Sequence, residues 1–186
     1  MLLAIAIIGG SVLGSNPCTT DPQDPCTHKC AYQGLAYVMD FSVFRQGHEQ
    51  SYLHATDAAA HDYYFDACDV VPKSAAVCDG TTAQRPVAIQ TWGAPQPPEF
   101  PADSCAGLGD ASTRVCFMIT NYPRVQVACN YTQGDSGRRV TLRYTCDGRT
   151  SFYAEQTDPA APTYVIDLVG RGACNMTTAA DDDVEQ

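Results

Sequence analysis

The chain has 186 residues, a mass of 20.0 kDa, a formal net charge of -10 and two lysines, Lys29 and Lys73. That length suits one domain with a sizeable core and ends that need not be ordered. The acidic balance argues against nucleic acid as a partner, because phosphate binding draws on clustered Lys and Arg, and ten cysteines indicate a secreted or luminal protein.

Residues Met1 to Ile8 are apolar, and Val12 and Gly14 supply small side chains before a cleavage point at Ser15, so 1–14 is expected to be a signal peptide. The run is too short to span a bilayer, and no later segment is apolar for long enough, so no transmembrane segment is expected. An oxidising compartment makes disulfides the default state of the cysteines. Cys26 and Cys30 flank His28 at a spacing that zinc accepts, but no second close pair of ligands is present; the residues call for no metal and no other cofactor. Asn130 with Thr132 and Asn175 with Thr177 form glycosylation acceptors.

Residues 15–29, rich in Cys, Pro, Asp and Thr, read as an irregular segment. Gly47 to Ala60 reads as loop and turn, and Tyr63 to Val71 as a strand bearing Cys68. Val87 to Trp92 is a strand that carries Gln90. Pro95, Pro97, Pro98 and Pro101 then exclude a central strand. Val115, Phe117 and Ile119 alternate and are followed by Val125 and Val127, which predicts a hairpin; a further turn falls at Gly134 to Gly137. Residues 177–186 are small and acidic, with nothing to bury, and are expected to be disordered. No amphipathic helix of useful length is visible, so the fold is expected to be all-β.

From Arg138 to Cys146 the apolar side chains fall at Val140, Leu142 and Tyr144, so with period 2 they share one face with Arg138. An arginine on an inward-facing row is costly unless oxygen atoms meet it, and a carboxylate plus a sugar is the expected partner. A loop carrying Glu155 comes next. The last strand runs from Tyr164 towards Cys174, and its near-continuous run of Val165, Ile166, Leu168 and Val169 predicts cover on both faces.

Arg138 to Cys146 resembles the arginine-to-cysteine strand of the mannose 6-phosphate receptor homology domain family, and Tyr164 to Cys174 resembles its closing strand. The likeness extends upstream in order through Tyr131 to Asp135, Gly107 to Gly109, Gln90 and Tyr63 to Cys68, with a looser match at Tyr37 to Phe44. It implies a flattened β-barrel or two-sheet β-sandwich stabilised by disulfides over 30–176. It also implies a mannose site made by Gln90, Arg138, Glu155 and Tyr164. Spacing places the family's glutamate at Ala154, so Glu155 fits only if its loop is one residue out of step. Cys146 is expected to pair with Cys174, and Cys30 with Cys68; the remaining cysteines have no assured scheme. These residue types suit a hexose, since Arg only donates, ionised Glu only accepts and Gln does both.

Two departures from the family bear on the ligand. The family's disulfide between the loop before the arginine and the closing strand is missing at both ends, with Pro162 at one of them, and Ile89 stands where a cysteine often precedes the glutamine. Without that stapled loop, plain mannose or high-mannose N-glycans are favoured over mannose 6-phosphate; Arg114, Arg124, Arg138, Arg139, Arg143 and Arg149 keep phosphate recognition open. A lectin without catalytic activity in the secretory lumen, or secreted, is therefore expected. Its partners would be mannose-bearing glycoproteins; the alternative is a non-catalytic accessory or sorting subunit, for example of a glycan-processing enzyme, that keeps the fold without binding sugar. A rival from another class is a trypsin-like serine protease, because Gly134, Asp135, Ser136 and Gly137 spell that family's nucleophile motif and Ala59, Ala60 and His61 echo its histidine motif. Arg138 and Arg139 stand where that family has glycine and proline, and the chain is short for two six-stranded barrels.

Overall fold

A computed structural model describes residues 15–32, 35–45, 52–72, 81, 83–92, 105–121, 124–158, 160–174 and 176–178. The proposed signal peptide, the proline-rich stretch after Trp92, Asn175 and residues 179–186 lie outside these. Apart from four short 3-10 turns, the regular structure of the described residues is all strand: β1 (Ser15–Thr20), β2 (Thr27–Tyr32), β3 (Leu35–Asp40), β4 (Leu53–Thr56), β5 (His61–Phe65), β6 (Pro86–Trp92), β7 (Cys105–Asp110), β8 (Val115–Asn121), β9 (Arg124–Tyr131), β10 (Arg139–Cys146), β11 (Ser151–Asp158), β12 (Thr163–Gly170) and β13 (Met176–Thr178). Among the described residues no helix is long and apolar enough to cross a membrane.

Nine strands form one sheet in the order β11-β12-β10-β9-β8-β1-β2-β3-β13, and four form a second in the order β4-β5-β6-β7. Neither sheet closes on itself, so the fold is an open two-sheet sandwich rather than a barrel. Strand β12 alternates half-buried and buried residues, with Tyr164, Ile166 and Leu168 turned inward. Val140, Leu142 and Tyr144 do the same on β10, as their spacing predicts. From the other sheet Tyr63, Phe65, Ile89 and Leu108 complete the core. Contacts between the sheets include the Phe65 and Phe152 rings, with centroids 5.8 Å apart, and a hydrogen bond from the Tyr144 hydroxyl to the Ala67 carbonyl.

Several segments depart from the sequence reading. Part of 15–29 is strand: β1 lies between β8 and β2. Pro17 is tolerated there because its register partner is Phe117 on β8, whereas pairing with β2 begins at Cys18, so its missing N–H can fall on the unpaired side. Likewise β4 occupies 53–56 within the expected loop, and the strand expected over 63–71 ends at Phe65, before Cys68. Glu155 stands on β11 and not in a loop. Thr177 and Thr178, assigned to the tail, pair with Val38 and Tyr37 on β3. The outer face of β12 is half-buried rather than covered.

Four disulfides join described residues: Cys18–Cys30, Cys26–Cys68, Cys116–Cys129 and Cys146–Cys174. Cys105 is disulfide-bonded as well. The Cys146–Cys174 pair is as expected, and closing its separation of 28 residues contributes about 3 to 4 kcal/mol by a chain-entropy estimate. Cys30 does not pair with Cys68. It faces Cys18 directly across two adjacent strands, with Cα atoms 4.1 Å apart, while Cys68 meets Cys26 just before β2. Cys30, Cys18, Cys116 and Cys129 stand in one transverse row across β2, β1, β8 and β9. With Cys26 and Cys30 in separate disulfides, the zinc-like spacing around His28 has no free thiolates.

The Gly107-Leu108-Gly109 stretch is explained by close backbone approach. A Cβ on Gly109, at φ +61°, would lie 2.5 Å from Cβ of Tyr131 and 3.0 Å from Val140. A Cβ on Gly134 would lie 2.5 Å from the Gly109 nitrogen. Gly109→Ala is therefore expected to destabilise the fold by about 2 to 4 kcal/mol through left-handed strain and overpacking. Urea unfolding checks this, and an unchanged midpoint would mean that β7 is not pressed against β9 and β10 as described.

Candidate functional site

One end of the sandwich gathers polar groups on otherwise apolar inner faces. In the smaller sheet His61 is paired with Trp92 and Tyr63 with Gln90, so period 2 turns all four towards the larger sheet, above the apolar pair Phe65 and Ala88. From the larger sheet Tyr164 meets them, its ring centroid 6.3 Å from that of Tyr63. Tyr63, Gln90 and Tyr164 are all buried.

Gln90 is held by a relay. Its Nε2 donates to the Tyr63 hydroxyl at 2.9 Å, and that hydroxyl donates to Asp57 Oδ2 at 2.8 Å. His61 Nδ1 lies 2.9 Å from the same carboxylate oxygen, and the backbone amides of Ala59 and His61 donate to Oδ1. Because the Tyr63 proton is engaged by Asp57, its oxygen must accept from Gln90, which fixes the amide with nitrogen towards Tyr63. The other end, Gln90 Oε1, is buried and has no hydrogen-bond partner among the described residues. Leaving a buried acceptor unmet costs about 1 to 3 kcal/mol, so such an atom calls for an explanation.

Burial works against the Asp57 charge, but the bonds from His61 and Tyr63 outweigh it and lower its pKa below the usual carboxylate value. Burial, then Asp57, pushes the Tyr63 phenol far up, so it stays a neutral donor. The turn that carries Asp57 places Ala60 at φ +63°, where a residue with a Cβ is strained.

Arg138 immediately precedes β10 and is in phase with its inward row. Its Nε donates to the Tyr164 hydroxyl at 3.3 Å, its Nη1 donates to the Asp135 carbonyl at 3.0 Å, and its guanidinium carbon lies 5.8 Å from the centre of the Trp92 ring. Among the described residues no carboxylate bonds it, so the expected acidic partner is replaced by a hydroxyl, a carbonyl and a π face. The Gly134–Gly137 turn is what positions it: Gly134 N donates to the Arg138 carbonyl, and Arg138 N to that of Asp135. The Asp135 carboxylate in turn accepts from the amides of Ala83 and Gly107, tying the turn to β7.

The fold thus brings together three of the four residues expected at the site and leaves out Glu155. Glu155 pairs with Val165, is exposed, and shares its face with Asp167 and Arg143, which are joined by bonds of 2.6 Å. One position along, Gln156 is the register partner of Tyr164 and shares its face. Period 2 identifies it once 151–158 is taken as a strand, because Gln156 lies in phase with buried Ala154. Asp57, Tyr63 and Trp92 join the site without having been expected there; Asp57 has no local signal, since its role depends on a hairpin whose composition is that of a loop.

No family model matches the sequence, and no curated protein is significantly similar to it. The site is therefore read from its own chemistry. The trypsin-like arrangement gains nothing from the geometry: Asp135 of Gly-Asp-Ser-Gly is engaged by two backbone amides, and Ser136 is an exposed turn residue at φ +52°. The cavity that His61 lines does not include Ser136. Asn130 is exposed on β9, where its Oδ1 accepts from Thr141.

Because its folded-state pKa is lowered, Asp57 contributes stability that is complete above its unfolded pKa and disappears as the pH falls through the folded one. Asp57→Asn is expected to cost about 1 to 3 kcal/mol at neutral pH and to flatten the acid-side fall in stability. Denaturant titrations at several pH values below neutrality test this, and parallel wild-type and variant profiles would remove the charge from the relay. Relieving the strain in the same turn, Ala60→Gly should raise the stability by up to about 1 kcal/mol, read as a higher thermal midpoint.

Proposed function

We propose that the chain is a carbohydrate-binding domain that holds a mannose residue at Gln90, Arg138 and Tyr164, with Gln156 taking the place expected of a glutamate. The observation that carries this reading is the buried Oε1 of Gln90, an acceptor held in position without a donor among the described residues. A ligand hydroxyl would satisfy it. Arg138 retains N–H groups beyond the two engaged by Tyr164 and Asp135, and the Tyr164 hydroxyl, which accepts from Arg138, can still donate. One acceptor and several fixed donors suit adjacent sugar hydroxyls, each of which does both.

Discrimination between epimers arises from the same groups. Hydrogen bonds to the guanidinium contribute about 1.5 to 3 kcal/mol each, and a hydroxyl of the wrong orientation leaves a buried partner unmet. Trp92, beneath the guanidinium, supports the plane of Arg138 through its π face. No chemistry is assigned to the site: its role is recognition, as in the mannose 6-phosphate receptor homology family that the sequence resembles. Disulfides and the candidate signal peptide are compatible with that role in the secretory lumen or outside the cell, with mannose-bearing N-glycoproteins as partners. Binding of one monosaccharide is expected to be weak and to gain from multivalent display.

Arg138→Ala is expected to lose retention on immobilised mannose, a loss of at least about 2 kcal/mol, while remaining folded by circular dichroism. A variant that is still retained, and still released by free mannose, would overturn the role of this arginine. A wild-type protein that binds no structure on a glycan array would overturn the lectin reading itself.

A further inference from the structure

A cavity of about 580 Å³ opens between the β4–β5 turn and β11, the edge strand of the larger sheet. Its volume falls within the roughly 300 to 1,000 Å³ typical of small-ligand sites. Thr56, His61, Tyr153, Glu155, Gln156 and Asp167 contribute to its walls. It is not the Gln90 cluster, since neither Gln90 nor Arg138 nor Tyr164 lines it, but it adjoins that cluster at two points. Asp57 is both a wall of the cavity and the acceptor for Tyr63. Gln156 is both a wall and the register partner of Tyr164.

The groups it offers are those that a neutral sugar needs. Tyr153 is 61% exposed, one of three large hydrophobic side chains open to solvent among the described residues, and presents a ring on which the C–H face of a pyranose can pack. Glu155, whose charge acts on Arg143 without a hydrogen bond between them, brings a carboxylate, and the Gln156 amide stands on the border between this cavity and the first site. The other two carboxylates in the walls are already matched, Asp57 by His61 and Asp167 by Arg143. No Lys or Arg lines the cavity, and the guanidinium behind its wall, Arg143, is already engaged by Asp167 and by the charge of Glu155, so a phosphate there would compete with two carboxylates for it.

We infer that this cavity is a second saccharide subsite, taking the unphosphorylated pyranose next to the one held at Gln90, Arg138 and Tyr164. The inference rests on the lectin reading and deepens it: the ligand is an oligosaccharide, and the portion reaching over Tyr153 carries no phosphate. Glu155 thus returns as a contact for the second sugar and not for the first.

The test is calorimetric titration of the full chain with methyl α-mannoside, a linear α-linked dimannoside, and the same dimannoside phosphorylated on its second residue. Wild type is expected to bind the dimannoside about 10-fold or more tightly than the monosaccharide, a difference of about 1.4 kcal/mol. Tyr153→Ala and, separately, Glu155→Gln should remove most of that gain without changing the monosaccharide affinity, and the phosphorylated ligand should bind more weakly than the plain one. Equal wild-type affinity for monosaccharide and dimannoside would overturn the subsite and leave the lectin reading standing. So would variants that weaken both ligands alike or neither, or tighter binding of the phosphorylated form. Absence of binding to all three sugars would overturn the lectin reading and the subsite with it.

Discussion

The architecture of the polar end depends on one pairing, the parallel ladder between β10 and β12. Eight residues of each strand run in register, from Arg139 with Thr163 to Cys146 with Gly170. Parallel neighbours cannot be joined by a tight turn. Here the chain satisfies the rule by running β11 outside β12 as an antiparallel edge and returning between β11 and β10. That detour has two effects: it brings the start of β10 beside the start of β12, so Arg138 reaches the Tyr164 hydroxyl, and it sets Gln156 across from Tyr164 at the sheet margin. The Cys146–Cys174 bridge then locks the far end of the same two strands.

The smaller sheet supplies the polar groups that the larger one lacks. Its inner face is apolar at Phe65 and Ala88 and becomes polar one pair further on, at Tyr63 and Gln90, with no change in strand geometry. A tyrosine and a glutamine buried side by side are stabilised by a third group outside the sheet, the Asp57 carboxylate in the hairpin turn. The turn accepts local strain at Ala60 to hold that carboxylate where two backbone amides, an imidazole and a phenol converge. Among the described residues the buried Gln90 Oε1 is the acceptor that this network holds in place without a donor.

Much of the fold was legible in the sequence: alternation at 138–146 marks the buried face of β10, and the hairpin at 115–127 was placed by its strand-forming residues, although on β8 the buried row is Cys116 and Met118 and not Val115, Phe117 and Ile119. What escaped were strands whose pairing is settled far away. Ser15–Thr20 looks irregular by composition and is ordered by β8, about a hundred positions distant. Leu53–Thr56 is too short to signal itself. The inward placement of Arg138 came from parity alone, whereas its companions did not: the carboxylate expected beside it proved to be a tyrosine hydroxyl and a backbone carbonyl. The misplacement of Glu155 has the same origin. In a loop a side chain can turn either way, but in a strand one position decides the face.

The transverse row of sulfurs has a further consequence for how the chain acquires its covalent pattern. Cys18 sits opposite Cys116 in the ladder as squarely as it sits opposite Cys30, so strand alignment by itself does not choose between partners. Loop closure does: each observed bridge in the row spans only 12 or 13 positions, within one hairpin, whereas joining Cys18 to Cys116 would require closing a far longer segment first. Oxidation of the two hairpins before they dock edge to edge would give the observed connectivity without an isomerase, and docking of reduced hairpins would leave both choices within reach.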